Sequence, residues 1–252
     1  GLTLRELGRL VEAEANHTRA VVLKPDYAEA HNNLGNTLRE LGKLEEAAAS
    51  LGRAVALKPD YAKAHNNLGN ALNQLGRLEE AEASYTQAIV LKPDYAEAHG
   101  NLGMALQQLG RLDEAEVSYE QAIGLKTDYA VVYSNLSTIL QNQGRLEEAL
   151  TGYNEAIELQ VDYSEAYSNK NLCLNYFSNR SSLFIYQQHL EFEKQFGGLK
   201  IRVPLMAKVN KSSGERLRIG YVSGDFRTHS VAHFFEPLLQ HHNANVVETF
   251  CY

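Results

Sequence analysis

The chain has 252 residues, a formal net charge of −7 and two widely separated cysteines, Cys173 and Cys251. This acidity argues against nucleic acid as a partner, because such binding depends on lysine and arginine at phosphates. Two isolated thiols form neither a disulfide framework nor a metal cluster, and they favour a reducing, cytoplasmic compartment. No apolar run reaches the ~18 residues that span a bilayer, so we expect no membrane partner. Because the thiols are isolated, we also expect no metal site.

A block of 34 residues recurs along most of the chain. Five tyrosines and five glycines keep this spacing: Tyr27, Tyr61, Tyr95, Tyr129, Tyr163 and Gly8, Gly42, Gly76, Gly110, Gly144. A fixed period of this length predicts stacked supersecondary units rather than one globular core. We place the repeats in residues 1–177, as a partial copy at 1–27, complete copies at 28–61, 62–95, 96–129 and 130–163, and a degenerate end at 164–177. The first residue falls inside a repeat, and we expect the chain to be a fragment of a longer protein.

Each unit is predicted to be a pair of antiparallel helices. Small or apolar residues recur at helical spacing over 30–41 and again over 44–55. Asp26 is the expected N-cap of the first helix, with Glu29 three residues on as in a capping box. Gly42 is expected to end that helix in the left-handed conformation, which a residue without Cβ adopts cheaply.

The order of Leu34, Gly35, Ala47, Ala54 and Pro59 within the 34-residue period resembles the tetratricopeptide repeat. The resemblance covers residues 1–160 and implies an α-solenoid, a fold that usually serves as a binding scaffold. Where that family usually has tryptophan, this chain has His31, His65 and His99, and later Tyr133 and Tyr167. We expect the histidines to pack in place of tryptophan, because spacing by whole repeats separates them by about 10 Å, too far to share a metal ion.

A polar stripe runs beside the apolar face of each first helix, at positions 29, 33, 36 and 40 of the first complete repeat. One asparagine of the stripe is present in every copy: Asn33, Asn67, Asn101, Asn135 and Asn169. Asparagine is a mediocre helix former, so its repetition needs a reason. We predict a ladder of amides that binds the backbone of an extended acceptor peptide in a concave groove. The alternative is that the amides tie neighbouring repeats together, or were duplicated passively.

The period breaks after the repeats. Residues 178–216 are expected to form a capping helix and a basic linker. A strand at 217–223, a helix near 231–241 and a strand at 246–252 then predict the opening of a parallel, doubly wound sheet. Ligands of such sheets lie at the carboxyl ends of strands, where the next loop contains His229.

His229 is a candidate catalytic base, because histidine can take a proton near neutral pH. The alternative is a histidine that caps or packs at the start of the following helix. The loop 224–230 has neither a GxGxxG nor a P-loop signature, so neither a dinucleotide site nor a P-loop site of those kinds is supported.

The run RLRIGYVSGDFRTHSVAHFFEPLL, soon followed by FCY, resembles the start of the catalytic region of the protein O-GlcNAc transferase and SPINDLY family. The residues that carry the motif are Gly220, Tyr221, Val222, Ser223, Asp225, Phe226 and His229. The resemblance implies that residues 217–252 begin the first Rossmann-like lobe of a GT-B glycosyltransferase. It also implies that His229 acts on the acceptor hydroxyl.

The predicted fold is therefore mainly α: a tetratricopeptide-repeat α-solenoid followed by the first β-α-β of a truncated GT-B lobe. The resemblance implies a parent enzyme that transfers N-acetylglucosamine from UDP-GlcNAc to Ser or Thr of acceptor proteins, with the repeats binding the acceptor. The alternatives are a SPINDLY-like O-fucosyltransferase that uses GDP-fucose, which the Thr-His-Ser-Val run favours, and a non-catalytic protein-binding scaffold. No cofactor is expected beyond the nucleotide sugar. Because GT-B enzymes hold the donor between two lobes, we expect the chain alone to be inactive.

Overall fold

The computed structural model describes residues 8–196, 217–221 and 247–251. The chain divides into two units, Gly1–Gly198 and Leu199–Tyr252, which are treated separately below. No helix of the described residues combines the length and the apolar character needed to cross a membrane.

The described part of the first unit contains eleven helices that follow the 34-residue period. They are α1 Leu10–Leu23, α2 Ala28–Glu40, α3 Leu44–Leu57, α4 Ala62–Gln74, α5 Leu78–Leu91, α6 Ala96–Gln108, α7 Leu112–Leu125, α8 Ala130–Asn142, α9 Leu146–Leu159, α10 Ser164–Leu174 and α11 Ser182–Phe196. Each complete repeat contributes a first helix (α2, α4, α6 or α8) and a second helix (α3, α5, α7 or α9). The predicted tetratricopeptide-repeat solenoid is confirmed.

The glycine after each first helix ends it as predicted. Gly42 has a φ of +76°, in the left-handed region, and the equivalent glycines of the other repeats share this conformation. The amide of Lys43 then donates to the carbonyl of Leu38 at 2.9 Å, so the chain turns back toward the second helix with its backbone groups paired.

The predicted side-chain N-cap at Asp26 is wrong. The helix begins at Ala28 with Tyr27 in the N-cap position, and no side chain caps it. A turn in which Tyr27 N donates to Lys24 O at 3.1 Å shifts the helix start one residue beyond Asp26. Glu29 does not reach back as in a capping box, because its carboxylate binds the ammonium of Lys58 at 3.0 Å.

Small residues let the helices approach closely. The second helices bury two alanines each at matched positions: Ala47, Ala54, Ala81, Ala88, Ala115, Ala122, Ala149 and Ala156. Successive first helices contact one another in the pairs α2–α4, α4–α6 and α8–α10, whereas successive second helices of the described repeats barely meet. The first helices therefore lie on the tighter side of the solenoid. We call the surface that they present there, at position 29, 33, 36 or 40 and equivalents, the inner face.

The repeat pattern ends with α10 and α11. Lys170 and Asn171 occupy the places of the usual leucine and glycine. Asn171 is buried and donates to the carbonyl of Gln188 in α11 at 3.4 Å, while burial lowers the pKa of the Lys170 ammonium. Ser181 Oγ accepts a hydrogen bond from Phe184 N at 3.2 Å at the start of α11.

In the second unit, two strands are described, β1 Leu217–Tyr221 and β2 Val247–Cys251. They pair in parallel, with Leu217 opposite Val247 and Tyr221 opposite Cys251. The prediction of two parallel strands is confirmed for these residues. The helix expected near 231–241 lies outside the described residues, so the strands are the part of the predicted lobe that can be described.

Candidate acceptor-binding face of the repeats

The inner face is a row of polar side chains on successive first helices. Its outermost members are exposed: Glu40, Gln74, Gln108 and Asn142. The recurring asparagines lie at its edge, toward the preceding repeat. Asn33, Asn101, Asn135 and Asn169 are partly buried, and Asn67 is buried with 9 % of its surface exposed.

Two of the recurring asparagines link adjacent first helices. Asn67 Nδ2 donates to Asn32 Oδ1 at 2.8 Å, and Asn101 Nδ2 donates to Asn66 Oδ1 at 2.9 Å. The accepting residues Asn32 and Asn66 are buried. For these two repeats the amide does tie the solenoid together, which was the alternative to peptide binding. The Nδ2 donor is occupied, and the Oδ1 of Asn67 or Asn101 is the group left to accept a hydrogen bond from a ligand.

The amide link is not repeated farther along the chain. The accepting position, Asn32 and Asn66 in the earlier repeats, is Gly100 and then Ser134. A glycine offers no side-chain acceptor, and the Asn135 amide instead lies near the Tyr119 hydroxyl, where it partly offsets the burial that raises the pKa of Tyr119.

A column of buried tyrosines lies behind the inner face, and the sequence analysis missed its role. Tyr85, Tyr119 and Tyr153 are almost fully buried in second helices, and burial raises the pKa of each hydroxyl. Each hydroxyl bonds an amide oxygen of the first helix in its own repeat. Tyr85 donates to Asn70 Oδ1 at 2.8 Å, Tyr119 to Gln107 Oε1 at 2.8 Å and Tyr153 to Gln141 Oε1 at 3.1 Å.

A glycine in the first helix makes room for two of the three rings, whereas Ser137 takes its place before Tyr153. A Cβ on Gly69 would lie 2.5 Å from the ring of Tyr85, and one on Gly103 would lie 2.6 Å from the ring of Tyr119. The sequence signal that could have revealed this contact is a glycine sixteen residues before a tyrosine, present in two successive repeats.

Ion pairs extend across the repeats at the start of the first helices. The hydrogen bond from Lys58 holds the pKa of the Glu29 carboxyl below its usual value, and Lys126 lies 3.6 Å from Glu97 in the equivalent place. The same lysines lie over tyrosine rings, with Lys58 Nζ 5.0 Å from the centroid of Tyr61. The charged side chains in these contacts are therefore already paired within the solenoid.

Each of the three recurring histidines forms a hydrogen bond with a backbone carbonyl oxygen. Nε2 of His31 and of His65 each lies 2.9 Å from the carbonyl oxygen of the proline six residues earlier, and Nε2 of His99 lies 3.0 Å from its own. Each ring thus bridges the end of one repeat and the first helix of the next. The prediction that these residues pack in the place of tryptophan agrees with this geometry.

His229, the predicted catalytic base, lies outside the described residues. The same holds for the loop 224–230. The structure therefore places the five predicted peptide-contacting asparagines on one side of the solenoid and leaves the predicted catalytic role of His229 as a prediction.

Comparison with known proteins identifies the repeats first. Sequence models described as TPR repeat match residues 1–38, 35–76 and 69–110, and models described as tetratricopeptide repeat match residues 96–129 and 130–161. A solved thermophilic TPR protein of Thermus thermophilus is 30% identical, with a TM-score of 0.58 over 69% of this chain and 95% of that one. The chain is a tetratricopeptide-repeat protein.

A model described as glycosyl transferase family 41 matches residues 199–252. The probable UDP-N-acetylglucosamine–peptide N-acetylglucosaminyltransferase SPINDLY of Hordeum vulgare is 40% identical over 73 residues, which are 29% of this chain and 8% of that protein. A solved mutant of the Thermobaculum terrenum O-GlcNAc transferase is 27% identical, with a TM-score of 0.51 over 76% of this chain and 36% of that one. Within the tetratricopeptide-repeat proteins, this chain is therefore similar in part to the O-GlcNAc transferase and SPINDLY family, and it spans less than a tenth of the length of the curated relatives it matches.

Proposed function

We propose that this chain supplies the acceptor-binding repeats of a protein O-glycosyltransferase, and that an extended polypeptide lies along the inner face. The observation that carries the proposal is the row of side-chain amides at matched positions of successive first helices. Its combination with a glycosyltransferase family 41 segment in one chain connects that row to protein glycosylation.

The spacing of the amides suits an extended chain. Packed helices lie about 8–10 Å apart, whereas a strand advances about 3.4 Å per residue, so successive repeats would meet every third residue of a bound polypeptide. An amide that contacts only the peptide backbone does not read side chains, which suits an enzyme with many acceptors.

The proposed reaction transfers N-acetylglucosamine from UDP-GlcNAc to a Ser or Thr hydroxyl. The hydroxyl oxygen bonds the anomeric carbon, the bond from that carbon to the nucleotide phosphate breaks, and UDP leaves. The hydroxyl proton goes to a base, for which we propose His229. GDP-fucose is the alternative donor, because the Thr228-His229-Ser230 run resembles SPINDLY.

The test is a transfer assay on the protein encoded by the full reading frame, with labelled UDP-GlcNAc and GDP-fucose in separate reactions. Transfer from either donor supports the proposal and identifies the sugar. Replacing Asn33, Asn135 and Asn169 by Ala should raise KM for a protein acceptor about tenfold without changing kcat, because the lost contacts bind the acceptor before and during transfer. Asn154→Ala, on a second helix, is the matched control.

His229→Ala should lower kcat at least about 100-fold, as expected when a general base is removed. Protein binding by the repeats without transfer from either donor would contradict the proposal and leave a protein-binding scaffold.

A further inference from the structure

Basic residues at the start of the second helices join neighbouring repeats. Lys43, Arg111 and Arg145 occupy the N-cap positions of α3, α7 and α9. Each binds a glutamate of the preceding second helix, at matched positions of the repeat: Lys43 with Glu14 at 2.6 Å, Arg111 with Glu82 at 2.7 Å and Arg145 with Glu116 at 2.5 Å. An ion pair therefore connects the two repeats at each of these junctions.

The junction between α3 and α5 lacks this ion pair. Its basic residue is Arg77, the N-cap of α5, but Ala48 takes the place of the glutamate. Nε and Nη2 of Arg77 each donate to Glu80 at 2.7 Å. Arg111 binds Glu114 through the same two atoms and uses Nη1 for the glutamate of the preceding repeat. Nη1 of Arg77 has no hydrogen-bond acceptor among the described residues.

A hollow of about 370 Å³ lies at this junction, and Arg77 is one of its lining residues. Its apolar lining comes from α3 and α4: Ala48, Ala49, Leu68 and Leu72. The next groove, between α5 and α7, has about 470 Å³, and none of the residues that line it is basic. Glu82, which binds Arg111, lines that groove instead. The missing glutamate therefore leaves an apolar hollow with a guanidinium at its edge.

Two carboxylates at the hollow do not exclude a third. The hydrogen bond with Glu80 raises the pKa of the Arg77 guanidinium, and Glu45 of α3 adds to this at longer range without forming an ion pair with it. At the later junctions an acid occupies each equivalent position, and the arginine still binds the glutamate of the preceding repeat. The same arrangement therefore accommodates one more carboxylate at Arg77.

The chemistry of the hollow selects an apolar group beside a carboxylate. A guanidinium N–H donates a charge-assisted hydrogen bond to a carboxylate oxygen, as Arg111 and Arg145 do with their glutamates. Ala49, Arg77 and the two acids are exposed, so the hollow is open and does not enclose a ligand as small-molecule pockets usually do. A polypeptide supplies the carboxylate and the apolar side chain together, with further contacts outside the hollow.

We propose that Arg77 and the apolar hollow between α3 and α5 form a docking site for a partner protein that presents a Glu or Asp beside a leucine-like side chain. The partner's carboxylate binds Nη1 of Arg77 in place of the glutamate that the repeat lacks at Ala48. Its apolar side chain packs on Leu68 and Leu72. The site is separate from the inner face, and the inference goes beyond the proposed function and does not depend on it.

The test compares two fluorescent, Ala-rich helical peptides with capped ends on the full 252-residue chain, by anisotropy at low ionic strength. Each contains a leucine, followed one helical turn later by Glu in one peptide and by Gln in the other. We expect the Glu peptide to bind about threefold more tightly, a gain typical of one solvent-exposed ion pair. Because the chain has a net charge of −7, non-specific electrostatics would favour the Gln peptide instead.

Ala48→Glu should abolish the preference, because the new carboxylate would bind Arg77 as Glu82 binds Arg111. Its melting temperature should equal or exceed that of wild type, so the loss of preference would not reflect a loss of folding. Arg77→Gln should also abolish the preference. Arg53→Gln, which removes the same charge from an exposed position of α3 outside the hollow, should retain it.

Equal binding of the two peptides to wild type, tighter binding of the Gln peptide, or binding of neither would overturn the docking site. A preference for the Glu peptide that persists in Ala48→Glu or in Arg77→Gln would also overturn it, because the carboxylate would then bind elsewhere. Loss of the preference in Arg53→Gln as complete as in Arg77→Gln would assign the effect to general charge and would contradict the proposal as well.

Discussion

The earlier first helices, α2, α4 and α6, are linked amide to amide, whereas the later ones, α6, α8 and α10, lack this link. Asn67 and Asn101 each donate to an asparagine of the preceding repeat. At the next accepting position Gly100 replaces asparagine, so Asn135 has no amide partner in the preceding repeat. The first helices α2, α4, α6 and α8 nevertheless have the same length of 13 residues, and each is followed by a glycine in the left-handed conformation. One residue per repeat therefore changes the polar chemistry of the inner face without changing the backbone.

Among the predicted changes, removal of a tyrosine ring should lower the stability of the later repeats most. Tyr119 is fully buried, so Tyr119→Ala leaves a cavity and should lower the free energy of unfolding by about 3–5 kcal/mol. Tyr119→Phe keeps the ring and loses the hydrogen bond to Gln107, which should cost about 1 kcal/mol. Urea unfolding measures both changes. Equal losses in the two variants would contradict the packing described for this ring.

Alkaline pH should act on the same column. Burial raises the pKa of Tyr85, Tyr119 and Tyr153, so the folded chain retains protons that the unfolded chain loses near pH 10. This contribution is fully present below about pH 10 and falls above it, by up to about 1.4 kcal/mol per pH unit for each tyrosine. Stability measured by circular dichroism between pH 9 and 11.5 should fall less steeply in Tyr119→Phe. An unchanged slope would argue against the pKa shift.

The glycine that faces Tyr119 offers a smaller perturbation. Gly103→Ala would place a Cβ 2.6 Å from the ring and should cost about 1–3 kcal/mol by overpacking. Gly124 has nothing within 4 Å of its added Cβ, so Gly124→Ala should be neutral or stabilise α7 by up to about 1 kcal/mol. The melting temperature should therefore fall in Gly103→Ala, whereas it should stay the same or rise in Gly124→Ala. Equally small shifts in both variants would show that the Tyr119 ring does not require a glycine at position 103.

The amide links should show the smallest difference. Asn67→Ala leaves the buried Oδ1 of Asn32 without its donor and should cost about 1–2 kcal/mol. Asn135→Ala should cost less than about 0.5 kcal/mol, because Tyr119 keeps its bond to Gln107. Chemical unfolding of the two variants compares the regions directly. A cost for Asn135→Ala as large as that for Asn67→Ala would remove the distinction between them.

Local signals predicted the helices well. The period, the apolar spacing and the glycine at φ +76° are properties of neighbouring residues, and the structure confirms the elements that depend on them. The N-cap prediction was also local but failed, because the backbone turn from Lys24 to Tyr27 starts the helix after Asp26. A capping residue depends on that turn geometry as well as on its own chemistry.

The polar links could not be predicted in the same way. The bond from Tyr119 to Gln107 depends on the relative rotation of two packed helices, and the bond from Asn101 to Asn66 depends on how repeats stack. Periodicity indicated that the asparagine of the stripe mattered, and the sequence analysis left open whether it binds peptide or links repeats. Among the described repeats the amide link occurs at Asn67 and Asn101, because Gly100 and then Ser134 replace the accepting asparagine.

The central claim is that a polypeptide lies along the inner face, and site-specific crosslinking tests it most directly. A photoreactive amino acid replaces Met104, on the inner face of α6, or Val117, exposed on the second helix α7 of the same repeat. Each protein is irradiated with a biotin-labelled pool of Ser- and Thr-containing peptides. We predict strong labelling at position 104 and little at position 117. Labelling at 117 that equals or exceeds labelling at 104 would contradict the account.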